Sequence, residues 1–374
     1  MVGGGPGAFI GNVHKMAAAL DGEIELVAGA FSSNPEKSRQ RGEEWFLHPS
    51  RVYGSYQEMA EKEAALPLGE RIDFVAIVTP NHTHYDIAKT FLEAEFHVMC
   101  DKPMVNTEEE AEELVRLVSS KKLLFGLTHN YTGYPMVKQA RDLVREGKLG
   151  AVRKVVVEYP QGWLATLVEA TGSKQAGWRT DPKQAGISSC IGDIGTHAEN
   201  LAEYITGLKI VSLLADLTTF VEGRLLEDDA NMLVQFENGA KGILYASQVS
   251  VGEENNLRIR VYGTEAALEW HQEEPNKLWV KYPNRPSELL RRGNGYIGEH
   301  AAYFTRIPSG HPEAFIEAFA NLYRSFGRCI RAMLEGREPD PKDMDFPKVE
   351  DGLRGVRFIH RAVESGKTRT WVTL

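Results

Sequence analysis

Cysteine is scarce in this sequence. Among 374 residues there are three, Cys100, Cys190 and Cys329. An odd number without a C-x-x-C spacing argues against a disulfide framework and against a zinc site, so no metal site is predicted. No apolar run approaches the length of a membrane span, and the first residues lack the charged and apolar regions of a signal peptide. We therefore predict a cytoplasmic protein that does not bind membranes.

An excess of positive charge is also lacking. The 43 basic residues face 52 acidic ones, which gives a formal net charge of -9. Because the mean field repels phosphate and no basic cluster appears, a nucleic-acid partner is not expected. The hydrophobic content of 42% is that of an ordinary globular protein, and a chain of this length exceeds the size of a single core. Two domains are predicted.

Glycines dominate the first eleven residues. They fit G-x-G-x-x-G/A in one register and a looser spacing in another, so the register stays open. Such a loop lets the backbone approach a pyrophosphate at the N-terminus of the helix predicted from Gly11 to Leu20. A flexible glycine-rich start is the alternative. Since only Met1 and Val2 precede the glycines, either the chain starts inside its first strand or that strand is short. The cofactor-binding residues predicted here are Gly3, Gly5, Gly7, Ala8, Phe9 and Ile10.

Strands then alternate with helices up to Thr128. This alternation predicts a doubly wound parallel sheet, a Rossmann domain spanning residues 1–128. The predicted strands are 25–31, 71–78, 96–100 and 123–128, and the predicted helices after the first are one capped by Asn34 with Pro35, 84–94 and 107–121.

The end of the second predicted strand bears on the choice of cofactor. An acid there would bind the ribose 2'-hydroxyl of NAD, whereas this chain has Ser32 and Ser33, with Lys37, Arg39 and Arg41 just beyond. Small and basic residues leave room for a 2'-phosphate, so the sequence favours NADP over NAD. The basic residues could equally form the solvated face of a helix.

A lysine stands at the sudden end of another strand. The apolar run 96–99 is followed by Cys100-Asp101-Lys102-Pro103. Pro103 has no N–H and cannot continue a ladder, so Lys102 leaves the sheet at the carboxyl end of a strand. In open α/β sheets, ligands bind at that edge.

The pattern changes after Thr128. Residues 257–262 alternate strictly between apolar and polar, and similar strands are predicted at 152–159, 211–218, 231–236 and 242–247. Few helices of crossover length separate them, so residues 129–374 should form an α/β domain on a large, open, mostly antiparallel sheet. Its exposed face is a natural surface for a homodimer or homotetramer.

The densest candidate site of this second domain is Gly192 to His197. Asp193 and His197 are four residues apart and share one face if a helix begins near Gly192. A carboxylate beside an imidazole raises its proton affinity and orients it, as general acid/base catalysis requires. Two alternatives stay open: a capped helix start with a histidine in the core, or a metal pair, for which no third ligand stands at a telling spacing.

Four further residues could contact a substrate. Tyr131 follows the last Rossmann strand, Trp163 and Arg179 lie in predicted loops, and His311 precedes a predicted long helix over 314–333. A tryptophan with polar neighbours suits the apolar face of a pyranose ring. Turn, cap or core packing would explain each of these residues equally well.

Taken in order, four motifs resemble the Gfo/Idh/MocA oxidoreductases, the glucose-fructose oxidoreductase and inositol dehydrogenase family. They are Gly3 to Gly11, Thr79-Pro80-Asn81 with His84, Asp101-Lys102-Pro103, and Gly192 to His197, with Asp351 to Arg354 near the end. The resemblance implies a Rossmann domain paired with an open-sheet α/β domain, NAD or NADP as cofactor, and chemistry at a carbon–oxygen centre of a sugar or cyclitol. It also implies cofactor contacts at Thr79, Pro80, Asn81, His84, Asp101 and Lys102.

The resemblance assigns the catalytic roles to Lys102, Asp193 and His197. His197 would take the hydroxyl proton while Lys102 stabilises the developing alkoxide, and exchange of these two roles stays open. The family's usual Glu-Lys-Pro is Asp101-Lys102-Pro103 here, and Ser32 replaces its usual acid, which puts NAD specificity in doubt. A cofactor-retaining epimerase or lyase of the same fold, or a non-catalytic dinucleotide sensor, are the alternative functions.

Overall fold

The computed structural model describes residues 1–374, which fall into two compact units. Unit 1 comprises residues 1–130 and 315–356, and unit 2 comprises residues 131–314 and 357–374. The sequence analysis divided the chain at residue 128 and placed residues 315–356 with the second domain. In the structure, the apolar face of this returning segment packs into the core of unit 1.

Unit 1 begins as alternating strands and helices. Its elements up to residue 130 are β1 Val2–Gly3, α1 Ile10–Ala19, α2 Pro35–Glu44, α3 Tyr56–Ala64, β2 Phe74–Val78, α4 His84–Glu93, β3 His97–Cys100, α5 Glu108–Lys121 and β4 Phe125–Leu127. Helix starts follow the sequence signals: Asn34 caps α2 ahead of Pro35, and Thr107 forms a capping box with Glu110 at α5.

The four strands of unit 1 form a parallel sheet in the order β1-β2-β3-β4. This confirms the predicted parallel α/β fold. Because all strands run the same way, β2 and β3 deliver Thr79 and Asp101 to the same edge of the sheet. The buried strand residues Val75, Ile77 and Val98 explain why these segments read as continuous apolar runs.

The strand predicted at 25–31 is wrong as a regular element. Only Gly29 and Ala30 take part in isolated bridges, with Val52 and Val2 respectively. The ladder starts at Met1, whose amino group donates to Ala28 O at 2.8 Å. Residues 25–27 therefore extend beyond the short neighbouring strand β1.

Unit 2 is built on a large sheet. Its elements up to residue 314 are α6 Pro135–Arg145, β5 Lys154–Pro160, α7 Lys174–Thr180, α8 Pro182–Ala185, α9 Thr196–Thr206, β6 Ile210–Thr218, β7 Asp229–Phe236, β8 Lys241–Ser247, β9 Arg258–Tyr262, β10 Ala267–His271, β11 Lys277–Lys281, β12 Glu288–Arg291 and α10 Glu299–Tyr303. One π-helical turn, Ile191–Gly195, leads into α9.

The chain ends with two long helices and a short strand. They are α11 Phe315–Leu334, α12 Val349–Thr368 and β13 Val372–Thr373. In unit 1, α11 packs on α1: Phe319 and Tyr323 contact the ring of His14, which lies on α1.

The sheet of unit 2 has nine strands in the order β12-β11-β10-β9-β5-β8-β7-β6-β13. All neighbours are antiparallel except β5 and β8, which are parallel. This confirms the predicted large, mostly antiparallel sheet. One face is buried, as shown by Val157, Leu244 and Ile259, while residues of the opposite face are partly or fully exposed.

Candidate active site

The glycine loop of unit 1 is tightly packed against the sheet edge. Gly3, Gly4 and Gly7 have φ angles of 92°, 79° and 79°, in the left-handed region. A Cβ on Gly5 would lie 2.7 Å from Phe31 O, and one on Gly11 would lie 2.5 Å from Gly4 Cα. These positions therefore require glycine for close packing, which argues against a merely flexible start.

Helix α1 begins directly after this loop at Ile10, and its N-cap residue Phe9 provides no side-chain capping hydrogen bond. A glycine loop leading into a helix N-terminus of this kind suits a pyrophosphate, because backbone N–H groups and the helix dipole both favour an anion there. The residues present therefore fit a dinucleotide.

Arg41 on α2 reaches the same loop. Its Nη2 donates to Gly5 O at 3.0 Å, and its Nη1 lies 2.8 Å from Glu44 Oε2. The guanidinium lies over the Trp45 ring, 4.9 Å from the centroid. Arg41 thus braces the glycine loop, whereas Lys37 and Arg39 on the same helix are exposed.

The two residues after Phe31 are serines, so neither supplies a carboxylate beside the glycine loop. Ser32 is half-buried and its Oγ accepts a hydrogen bond from Asn34 N at 3.2 Å, while Ser33 is exposed. Since Gly5 lies against Phe31 O and Ser32 Cβ, these serines stand beside the glycine loop.

Lys102 follows β3, next to an acid that is fixed in place. Asp101 Oδ1 accepts hydrogen bonds from Lys102 N at 3.1 Å and from Thr128 Oγ1 at 2.7 Å, and the Lys102–Pro103 peptide bond is cis. Burial, and then the charge of Lys102, lower the pKa of His129 to about 3. The neighbourhood of Lys102 therefore disfavours a second cation.

His84 connects the ends of β2 and β3. Its Nδ1 lies 2.9 Å from Pro103 O and its Nε2 lies 2.8 Å from Thr79 O, and the ring is fully buried. Burial lowers the pKa of His84, against the effect of Asp101 and of both carbonyls. Of the neighbouring predicted residues, Asn81 is buried and Pro80 is half-buried. These contacts make His84 a brace of the backbone around Lys102.

In unit 2, Asp193 lies in the π-helical turn before α9. Its Oδ2 accepts hydrogen bonds from Arg179 Nε at 3.0 Å and from Gln248 Nε2 at 2.8 Å. The predicted helix near Gly192 is thus a π-turn, and α9 itself starts at Thr196. The structure brings two predicted site residues together as an ion pair and adds Gln248, which the sequence analysis missed.

His197 lies in the first turn of α9, among aromatic rings. It is 6% exposed, and its ring is T-shaped to Tyr131 with centroids 4.7 Å apart. The Tyr131 and Tyr159 hydroxyls are hydrogen-bonded to each other, and burial raises the pKa of Tyr131 to about 12. Both phenols are therefore neutral hydrogen-bonding groups beside the imidazole.

A polar network extends from these tyrosines. Asn255 Oδ1 accepts from Tyr159 OH and from Gln161 Nε2, each at 2.7 Å, and Gln161 Oε1 accepts from Trp163 Nε1 at 3.1 Å. Trp163 also lies 5.7 Å from the Arg179 guanidinium. Gln161 and Asn255 carry no motif, so only their place after β5 and before β9 could have indicated them.

His311 stands apart from this group. It is exposed, and its hydrogen bonds involve its backbone, to Pro308 O and from the Arg292 guanidinium. Arg292 in turn forms a buried ion pair with Glu313 at 2.7 Å. The structure explains His311 as part of a turn that this ion pair holds.

No group of three or more metal-ligating side chains is placed to hold a metal ion. None of the helices combines the length and the apolar character needed to cross a membrane.

Unit 1 is a parallel Rossmann sheet with a glycine loop. Unit 2 has an open sheet, and its α9 region carries a carboxylate and an imidazole. Together these features are those of the class of two-domain dinucleotide oxidoreductases. Comparisons with known proteins narrow this class. Residues 1–129 match the model of an oxidoreductase family with an NAD-binding Rossmann fold, and residues 137–269 match the GFO/IDH/MocA C-terminal domain. The chain belongs to the Gfo/Idh/MocA family of oxidoreductases.

Similar proteins span the whole chain. An uncharacterized oxidoreductase of Bacillus subtilis is 35% identical over 100% of this chain and 95% of its own. A crystal structure of an oxidoreductase from Sinorhizobium meliloti is 46% identical, covers 100% of this chain and 98% of its own, and has a TM-score of 0.90. An inositol dehydrogenase homolog from Azotobacter vinelandii, complexed with NADH and myo-inositol, is 36% identical over 100% of this chain and 96% of its own, with a TM-score of 0.93.

Proposed function

We propose that this protein is an NAD(P)-dependent dehydrogenase or reductase acting on a secondary hydroxyl or carbonyl group of a sugar or cyclitol. The observation that carries the proposal is the polar cluster of unit 2, where Asp193 contacts Arg179 and the Gln248 amide and His197 packs against the Tyr131 phenol. Such a set of donors and acceptors suits a polyol. The homolog complexed with NADH and myo-inositol supports the same substrate class.

The roles of the residues follow from their chemistry. During oxidation, the substrate O–H bond breaks and His197 takes the proton, while Lys102 stabilises the negative charge that develops on oxygen. Asp193 orients the substrate and the cations. A bound nicotinamide would supply the acceptor for the hydride that leaves the same carbon. Reduction reverses these transfers, with His197 returning the proton.

A substrate screen tests the proposal. Purified protein is assayed with NAD and NADP against cyclitols and sugars, beginning with myo-inositol, and then as the variants His197→Ala and Lys102→Met. Each variant should lower kcat by about 10²-fold or more, because each loses a group that acts in the transition state. Near-normal turnover of His197→Ala would show that the histidine assignment is wrong. Cofactor that survives purification, together with epimerisation or elimination and no net redox change, would instead indicate the cofactor-retaining alternative.

For the cofactor, the proposal is that NADP is accepted at least as well as NAD. It rests on the absence of a carboxylate at Ser32 and Ser33 beside the glycine loop. Separate fluorescence titrations with NADH and NADPH test it. NADH binding about tenfold tighter or more than NADPH would contradict it. Failure of both to bind would contradict the dehydrogenase proposal, whereas binding without turnover of any substrate would favour the non-catalytic dinucleotide sensor.

A second copy of this chain is the proposed partner, and the open face of the unit 2 sheet is the proposed interface. Leu214, Leu233, Ile243 and Val156 stand in register on four adjacent strands, and Leu233 is 47% exposed. An apolar row of this kind favours association.

A cytoplasmic location is also proposed, and the three buried free thiols support it.

A further inference from the structure

The carboxylate of Asp193 receives both of its described donors on one oxygen. Arg179 Nε donates to Oδ2 from α7 at 3.0 Å, and Gln248 Nε2 donates to the same atom from the segment after β8 at 2.8 Å. The side chains of Arg179 and Asp193 are 21% and 13% exposed. Hydrogen bonds that involve charged groups in such partly buried places are stronger than those at the surface.

Arg179 is itself fixed in this position. Its Nη1 donates to Gln175 O at 3.1 Å and to Gln175 Oε1 at 2.8 Å. Its guanidinium lies over Trp178, 4.2 Å from the ring centroid, and 5.7 Å from that of Trp163. Because all these partners restrain the planar group, it presents Nε to Asp193 rather than extending toward a ligand. The substrate-binding role predicted for Arg179 stays a prediction beside this contact.

Gln248 is fixed even more tightly. It is fully buried, its backbone N donates to Asp228 O at 2.9 Å, and its backbone O accepts from Leu164 N at 3.0 Å. The side-chain Oε1 is buried without a hydrogen-bond partner. A buried, unpaired carbonyl costs free energy. The reversed amide would point that oxygen at Asp193 Oδ2, so contact with the carboxylate fixes the orientation of the amide.

We propose that Arg179 and Gln248 form a clamp that positions the Asp193 carboxylate, with Gln248 as a positioning residue that no sequence motif marks. The proposal rests on the proposed function for its effect on turnover, but the clamp itself can be tested without a substrate. Asp193, held by the clamp, is a fixed negative charge in the π-turn that leads into α9, four residues before His197. The clamp therefore sets where this charge lies.

The other titratable groups around Asp193 are consistent with this. The phenols of Tyr131 and Tyr159 and the thiol of Cys190 all have raised pKa values, through burial first and with the Asp193 charge among the further causes. All three are neutral around pH 7, whereas Arg179 is a cation that the structure places in contact with the carboxylate.

The first test follows the Asp193 carboxyl directly. Protein labelled with ¹³C at the aspartate carboxyl carbons is titrated by NMR, and the Asp193 signal is assigned by its loss in Asp193→Asn. Arg179→Met should move the midpoint of this signal upward by about one pH unit or more, because the ionised form loses its cation. Gln248→Glu should produce two coupled titrations, since two adjacent carboxyl groups share one proton.

The second test uses turnover of whichever polyol the wild type accepts. In Gln248→Glu, activity should recover as the pH is lowered, because a protonated carboxyl can donate to Asp193 as the amide does. Gln248→Met should lower kcat about tenfold or more at every pH. Gln184→Met, a glutamine on α8 outside the site, serves as the matched control.

Integrity of each variant is checked by dinucleotide binding to unit 1 and by thermal unfolding. An Asp193 signal that titrates at the same pH in wild type, Arg179→Met and Gln248→Glu would overturn the clamp. If that signal shifts as expected and no polyol is turned over, the clamp stands and the proposed function fails.

Discussion

The imidazole of His84 and the carbonyl of Pro103 are joined at 2.9 Å, which ties helix α4 to the residue after Lys102. The other ring nitrogen of His84 lies 2.8 Å from Thr79 O, which follows the neighbouring strand β2. One buried side chain thus braces two crossover segments at the ligand-binding edge of the parallel sheet.

Removal of this brace should weaken both stability and turnover. In His84→Ala, the buried carbonyl that accepts the ring N–H loses its donor, which should cost on the order of 1–3 kcal/mol of the free energy of unfolding. Because Lys102 is adjacent to Pro103, the side chain of Lys102 should be less well positioned in this variant, and kcat should fall. Urea unfolding and steady-state kinetics measure the two effects. The exposed neighbour His82 is the control: His82→Ala should change neither, and an unchanged His84→Ala would contradict the bracing role.

Arg41 should support dinucleotide binding without distinguishing the ribose 2'-hydroxyl of NAD from the 2'-phosphate of NADP. Its guanidinium donates to Gly5 O and pairs with Glu44. Arg41→Gln should therefore weaken NADH and NADPH by the same factor, on the order of tenfold for one lost charged hydrogen bond. Fluorescence titration with both cofactors measures it. Arg39→Gln, on an exposed position of α2, is the control. A loss confined to NADPH in Arg41→Gln would instead assign Arg41 to the 2'-phosphate.

His97 should make the stability of unit 1 depend on pH. Its Nδ1 accepts a hydrogen bond from Leu124 N at 2.9 Å, and burial, followed by the charge of Arg71, lowers its pKa from 6.5 to about 4. Between these values the unfolded chain binds more protons than the folded one. The free energy of unfolding is therefore fully retained above pH 6.5 and falls as the pH drops toward 4.

His97→Asn should flatten part of this dependence, because asparagine can still accept from Leu124 N but does not titrate. The part removed should be on the order of 2 kcal/mol across the acid range, allowing for the partial exposure of the ring. Denaturant unfolding at a series of pH values measures it. His48→Asn, at an exposed histidine, should leave the slope as it is. An equal slope in both variants would rule out His97 as the source.

The apolar row on the open sheet should hold two copies of the chain together. Leu233→Asp combined with Ile243→Asp places two charges in the middle of this row and should convert an oligomer into monomers of 41.7 kDa. Light scattering coupled to size exclusion measures the mass. Val251→Asp, at a residue 85% exposed in the turn after β8, is the matched control. Loss of assembly in that control alone would place the interface elsewhere.

Much of the fold could be predicted from local patterns. Apolar runs stopped by Pro80 and Pro103 marked the ends of β2 and β3, and the Asn34 and Thr107 caps marked the starts of α2 and α5. The strands β10, β11 and β12 were missed because they are short and carry many charges on their outer face. Helix α6 was missed because its first residue, Pro135, reads as the end of a turn.

Candidate site residues could be proposed from the sequence where a motif exists, but partners that only the tertiary fold supplies could not. Lys102, Asp193 and His197 stood in recognisable spacings. Gln248 did not, because nothing in the sequence marks a glutamine after a strand as a site residue. Only the folded structure shows its contact with Asp193 in the π-turn. The Arg179–Asp193 pair spans fourteen residues, and no sequence pattern indicated this contact.

The return of residues 315–356 to unit 1 has a consequence for biosynthesis. On the ribosome, residues 1–130 emerge long before α11, and until then the apolar surface destined for Phe319, Leu322 and Phe326 has no cover. We therefore expect the first segment of unit 1 to stay incompletely folded while the nine-stranded sheet is synthesised. We expect chaperones to bind the chain during this interval, and unit 1 to finish folding only near chain release.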